Sequence, residues 1–161
     1  MVRKIKIFPD YILRERAEDV EKFERLQSLI EDMWETMYTY QGIGLAAPQI
    51  GVGKRVFIVD VDKKNLVVVN PRIICKEGEE SIEEGCLSLP EVYLPIPRAR
   101  YIEIEGWDEK GKRIKVKAEG LLARVIQHEF DHLEGVLIID YAKPSQRVKI
   151  EKMLKSLSRR R

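Results

Sequence analysis

Two imidazoles four residues apart, His128 and His132, stand in Gln127-His128-Glu129-Phe130-Asp131-His132, which follows the apolar run Gly120-Leu121-Leu122-Ala123-Arg124-Val125-Ile126. The run reads as helix, and residues four apart on a helix share a face one turn above each other, so both rings can aim at one small volume. That geometry binds a metal. Glu129 follows the first histidine directly, and its carboxylate falls at the edge of that face, beside a water that the metal would activate. A base then stands next to a nucleophile. The plainer alternative is a buried or solvated histidine pair. Against it, these are the only two histidines in the chain, and they sit on a strongly apolar helix where unpaired imidazoles are costly.

A His-x-x-x-His pair needs at least one more protein ligand, with a position left open for water. A peptidase cutting internal bonds would recruit a downstream glutamate, and Glu151 is the only one beyond the helix end, but it sits in a basic tail. A third histidine three residues after Gly135 is absent, because Ile138 stands there. Cys86 is the remaining choice. It lies in Glu83-Glu84-Gly85-Cys86-Leu87-Ser88-Leu89-Pro90, beside a glycine and near two acids in a non-helical setting. Composition alone reads it more often as a small buried apolar residue than as a ligand. As a ligand, a thiolate would make the ion softer and less Lewis-acidic than in most peptidases.

The elements that must carry these groups fit one domain over residues 1–161, with no composition break. Charged residues make up 35% of the chain, and no apolar run approaches the roughly 20 residues that span a bilayer. The start, Met1 to Asp10, has no sustained apolar segment, so a secretory leader is not expected and a cytoplasmic location is. With two cysteines, Cys75 and Cys86, a disulfide is not favoured. The net charge of +2 hides an asymmetry: residues 141–161 hold eight basic residues against Glu151, a balance of +7, leaving −5 on residues 1–140. Such a tail attracts a polyanion or simply forms a solvated helix face.

In chain order, Asp19 is the expected cap of a helix to about Tyr40, with Phe23, Leu26, Ile30, Met33 and Met37 forming its buried stripe. Gly42-Ile43-Gly44-Leu45-Ala46-Ala47-Pro48-Gln49 follows, small enough for a backbone to approach a ligand closely, as a tight turn or a ligand-contacting strand. Residues 55–61 and 66–70 read as a hairpin that residues 71–76 prolong, and residues 100–108 and 112–117 as a second one. Pro95 and Pro97 confine their segment to an edge or loop. The histidine helix should run from about Gly120 to Glu134, followed by a short strand over residues 136–140 and a last helix from Pro144 to about Ser158.

Taken together, Gly42-Ile43-Gly44-Leu45-Ala46-Ala47-Pro48-Gln49, Glu84-Gly85-Cys86-Leu87-Ser88 and His128-Glu129-Phe130-Asp131-His132 resemble the three motifs of peptide deformylase, in that family's order and spacing. The similarity spans essentially the whole chain and is to the bacterial type with a C-terminal helix. It implies an α+β fold with antiparallel or mixed sheets around a central HExxH helix, a long N-terminal helix and a C-terminal helix. It also implies a metal held by Cys86, His128 and His132, usually ferrous iron in the cell, with zinc, nickel or cobalt able to replace it. The implied reaction removes formate from the N-formylmethionine of nascent polypeptides, with Glu129 as base and the Gln49 amide and Leu87 N–H as oxyanion donors.

Val125, one turn before His128, and Ile43 are the expected walls of a methionine pocket, with Leu121 equally a packing residue. Glycines 42, 44 and 85 would let a peptide lie between the first two motifs as an added strand. Glu84 and Asp131 read as supporting carboxylates, Asp131 paired to Arg98. Two departures stand out: Tyr93 where many bacterial members have arginine, and Arg124 where an apolar residue is common. The basic last helix resembles the segment with which some members dock on ribosomal RNA near the exit tunnel; no DNA or membrane partner is expected. Two other readings are an HExxH metallopeptidase cleaving internal bonds, which would not need Cys86, and a non-catalytic metal-stabilised ribosome-binding module.

Overall fold

A computed structural model describes residues 1–159; Arg160 and Arg161, counted above in the basic tail, lie outside the described residues. Seven strands run β1 (Gly44–Ala46), β2 (Val56–Val61), β3 (Lys64–Glu77), β4 (Glu80–Cys86), β5 (Leu89–Arg98), β6 (Tyr101–Trp107) and β7 (Arg113–Glu119). Three helices, α1 (Leu26–Thr39), α2 (Gly120–Leu133) and α3 (Pro144–Arg159), accompany them. The order β1-β2-β3-β6-β7 makes one sheet, and β4 pairs with β5 in a second. Every ladder is antiparallel, which decides between the antiparallel and mixed sheets expected.

Helices α1 and α2 cover opposite faces of the large sheet, because successive side chains of a strand point to opposite sides. On β2, Val56 and Ile58 pack with Ile30, Met33 and Met37 of α1. Phe57, Val59 and Val61 pack instead with Ala123, Val125 and Ile126 of α2. A strand buried on both faces needs a continuous apolar run, which Val56-Phe57-Ile58-Val59 supplies. Burying each such side chain stabilises the fold by roughly 1.5–3 kcal/mol, and this double packing fixes α2 against the sheet.

The β4–β5 hairpin is one more than the two expected, and three local details also differ. Helix α1 starts at Leu26, after a short 3-10 turn at Phe23–Arg25, and Asp19 does not cap it. Residues 17–20 have other partners: Ala17 N–H donates to Leu133 O (2.9 Å), Glu18 N–H to Gly53 O (2.9 Å), and the Asn70 side chain pairs with both backbone groups of Val20. The first hairpin turns on Asp62 and Lys63 alone, both at positive φ, a geometry that matches strand twist and lets β3 begin at Lys64. The strand expected over residues 136–140 is replaced by a 3-10 turn, Ile138–Tyr141, in which the Asp140 carboxylate accepts the Leu137 N–H. The tighter turn buries Leu137, Ile138 and Ile139 together in a third apolar cluster.

The two ends of α2 are held by the sheet. Gly120 at φ +62 lets β7 turn directly into the helix. At the other end the buried Arg55 donates to Leu133 O (3.1 Å) and pairs with Glu134 (2.7 Å), placing a cation at the helix C-terminus. Helix α3 packs by one stripe: Leu154 is fully buried and Ile150 lies against the third cluster, whereas Leu157 is half-buried.

Candidate functional site

Helix α2 places His128 and His132 on one face, with ring centroids 5.1 Å apart. Cys86 arrives from the end of β4, where it pairs with Leu89 across the two-residue turn Leu87-Ser88. Its Sγ lies 3.3 Å from His132 Nε2, and one donor atom from each of Cys86, His128 and His132 fits within 4.8 Å of the others. The alternative of a thiol merely filling the core does not describe this position. A sulfur and a nitrogen bound at about 2.3 and 2.0 Å with tetrahedral angles stand about 3.5 Å apart, so the 3.3 Å spacing fits one divalent ion. The buried His132 Nδ1 has no hydrogen-bond partner among the described residues.

Each supporting residue acts on a named atom. The His128 Nδ1 faces Glu84 Oε1 at 2.9 Å, which directs Nε2 toward the thiol. Glu84 also accepts two bonds from Arg98 (3.0 Å each) and one from Arg124 (2.6 Å). Burial pushes the Glu84 carboxyl up, but the hydrogen bonds from His128 and Arg98 outweigh it and bring the pKa down to about 2. Arg98 in turn pairs with Asp131 at 2.5 Å, as expected, and the Tyr141 hydroxyl donates to the same carboxylate oxygen (2.7 Å).

Glu129 is 4% exposed, and its Oε1 has no partner among the described residues. Burial is the main reason that its pKa rises to about 7, with the charges on His128 and Arg98 working against the rise. A carboxylate so placed can take and return a proton near neutral pH. Gln49, from the 3-10 turn Ala47–Ile50, accepts the Ala46 N–H on Oε1 (3.0 Å), which turns its NH2 toward Ser88 Oγ (3.2 Å) and Cys86 Sγ (3.7 Å).

A cavity of about 780 Å³ opens over these groups. Ile43, Gly44, Gln49, Gly85, Cys86, Leu87, Val125, His128 and Glu129 all line it, and the buried His132 stands behind. Leu121 lines it too and is half exposed, so it is more than a packing residue. Strand β1 is an edge of the large sheet. Ile43 O accepts the Asp60 N–H, so by the alternation of an antiparallel ladder the backbone groups of Gly44 face the free edge. A Cβ on Gly44 would lie 2.6 Å from Glu129 Oε2, so any other residue there would push the glutamate from its position. Tyr93 is 66% exposed at the rim, its ring against Gly85.

Sequence reasoning left out the Ser88 hydroxyl, the bond from Glu84 to His128 and the part played by Arg124. Signals for the last two were present: Glu84 lies two residues before Cys86 on a strand, and Arg124 one turn before His128 on a helix.

The family model described as polypeptide deformylase matches residues 2–148. The peptide deformylase of Thermotoga maritima is 46% identical over 158 residues, covering 97% of this chain and 96% of that protein. That of Clostridium botulinum is 49% identical over 140 residues, covering 86% and 95%. Among solved structures, a peptide deformylase from Legionella pneumophila superposes with a TM-score of 0.93 at 44% identity, covering 99% of this chain and 96% of that one. The Ehrlichia chaffeensis enzyme in complex with actinonin gives 0.94 at 34% identity, covering 98% of each.

Proposed function

The chain belongs to the peptide deformylase family, and on that premise we propose that it hydrolyses the formyl amide of N-formylmethionine at the start of nascent polypeptides, releasing formate. The observation that carries this reading is the meeting of Cys86 with His128 and His132 beside a buried, unpartnered Glu129 oxygen. A divalent ion held by Cys86, His128 and His132 would supply the Lewis acidity that brings water within reach of deprotonation near pH 7. We assign ferrous iron to that site in the cell, with Zn2+, Ni2+ or Co2+ as occupants of a purified sample.

Glu129 takes the proton of the attacking water as its oxygen bonds to the formyl carbon. The charge that develops on the formyl oxygen faces the Gln49 NH2 and the Leu87 N–H at the tip of the β4–β5 turn. Glu129 then gives the proton to the departing nitrogen as the carbon–nitrogen bond breaks, leaving a free amine and formic acid, which ionises to formate. Ile43, Leu121 and Val125 form an apolar wall suited to a methionine side chain, and the free edge at Gly44, with Gly85 opposite, suits a peptide bound as an added strand. Recognition through backbone leaves later residues of the nascent chain largely unselected.

Residues 1–161 are read as one catalytic domain, because α3 buries Leu154 in the cluster formed by β5 and the 3-10 turns. The outward face of α3 keeps Lys149, Lys152, Lys155 and Arg159 exposed, which supports a weak, salt-sensitive contact with ribosomal RNA near the exit tunnel. No described helix is long and apolar enough to cross a membrane, and work on nascent chains puts the protein in the cytoplasm.

Formate release from a formyl-Met tripeptide by anaerobically purified protein, with no cleavage of the unblocked peptide, tests the main reading; an internal-bond peptidase gives the reverse. Lys149, Lys152 and Lys155 changed together to Glu test the ribosome contact, and unchanged co-sedimentation would overturn it. Charge reversal is preferable to deleting α3, which would uncover the pocket around Leu154.

A further inference from the structure

We propose that Arg124 is a positioning residue that ties the β4–β5 hairpin, and with it Cys86, to the helix carrying His128 and His132; this rests on the metal-site reading above. The need for such a tie follows from topology. Cys86 belongs to a two-stranded sheet that shares no ladder with the five-stranded one, so strand pairing does not set its distance from α2. The hairpin's chain joins to β3 and β6, the bond from Phe8 N–H to Ser88 O (2.9 Å) and the grip of Gln127 on Ala99 hold its edges, and side chains from α2 must seat the rest.

Arg124 reaches three points on the hairpin from α2. Its Nη2 donates to Glu80 O (2.6 Å) at the start of β4, and its Nη1 to Ile96 O (2.8 Å) on β5 and to Glu84 Oε2 (2.6 Å), two residues before Cys86. Arg98, by contrast, lies on β5, so its two bonds to Glu84 stay within the hairpin, and it touches α2 only through Asp131. Arg124 and His128 are one turn apart on α2 and hold the two different oxygens of the Glu84 carboxylate. With Arg98 the carboxylate accepts four bonds, two on each oxygen, which fills its lone-pair sites and leaves it one orientation.

The guanidinium is suited to this task because its N–H groups lie in a rigid plane and can serve several acceptors at once. Lysine offers one nitrogen and cannot reach all three points. Arg124 borders the cavity but is itself buried, and Ile96 is fully so, which leaves little room for water to replace a lost donor at the Ile96 carbonyl. The hairpin would then settle differently on α2, and the sulfur would move relative to the imidazoles.

The test uses the whole chain loaded with Co2+, Arg124→Met and Arg124→Lys, with circular dichroism confirming the fold. Thiolate-to-cobalt absorption reports the Cys86 bond directly, and a chelator challenge reports metal retention; a merely structural role would move neither in a folded variant. We expect Arg124→Met to lose metal about 10–100-fold faster, with a weakened or shifted thiolate band. Arg124→Lys should fall between it and the parent protein. A folded Arg124→Met with the parent's band and retention overturns the proposal. If that variant does not fold, Arg124→Lys decides: parental values overturn the tie, and faster metal loss supports it. Absence of the thiolate band in the parent protein would instead overturn the metal-site reading itself.

Discussion

The Cys86 sulfur and the His132 Nε2 stand 3.3 Å apart although 46 residues separate them in the chain. The first ends a strand of the small sheet and the second nears the end of α2, so their meeting measures how well the hairpin is seated on the helix. Chelation should therefore loosen more than a bound ion. Stripping the metal should lower the melting temperature, with recovery on adding Co2+ or Zn2+, as scanning calorimetry would record.

Glu129→Gln keeps the size of the side chain but removes the base. Metal content should remain that of the parent protein while formate release falls by at least about 10²-fold. Elemental analysis beside a formate assay checks both halves, and turnover within a few fold of the parent would exclude Glu129 as proton carrier.

Gln49→Ala removes the amide held toward Cys86 and Ser88 by the Ala46 N–H. Loss of one oxyanion donor costs ~10²–10³ in kcat. Steady-state kinetics on a formyl-Met peptide should show that loss mainly in kcat, since the group acts where charge develops.

Gly44→Ala would bring a methyl group to 2.6 Å from Glu129 Oε2 and 2.9 Å from Val125 Cγ1. The glutamate must yield, because it is the end of a side chain whereas the strand is fixed by its ladder. Displacing a catalytic group by about 1 Å can cost 10²-fold in rate. Activity should fall far more than thermal stability, a contrast that melting curves and kinetics together reveal.

Glu84 predicts the behaviour in acid. Its folded-state pKa of about 2 lies below the ordinary glutamate value, so between pH 4.5 and 2 the unfolded chain binds the extra proton. Its stabilisation is present above that window and is lost as the pH falls through it, amounting to about 3 kcal/mol. Glu84→Gln should be less stable at neutral pH and should show a flatter decline in acid, as urea unfolding at a series of pH values would measure.

Much of this protein is legible along the chain because the deciding patterns are local. A spacing of four puts His128 and His132 on one helix face, Glu129 follows from its place beside the first, a run of Val, Ile and Phe marks β2 and β3, and alternation of apolar residues marks β6 and β7. The stripe of α1 and the burial of Leu154 in α3 follow from the same periodicity. Where backbone groups find distant partners, local reading fails: residues 17–20 bond to Leu133, Gly53 and Asn70 instead of starting a helix, and residues 138–141 form a turn instead of a strand.

What the sequence determined alone is the inventory of reactive groups and the helix that aligns two of them. Tertiary structure decided how a sulfur from another sheet reaches those imidazoles, and that four hydrogen bonds converge on Glu84 from β5 and α2. The physical reason is range: helix and strand periodicity act over a few residues, whereas burial, which raises the Glu129 pKa and leaves its oxygen unpartnered, depends on every element packed around it.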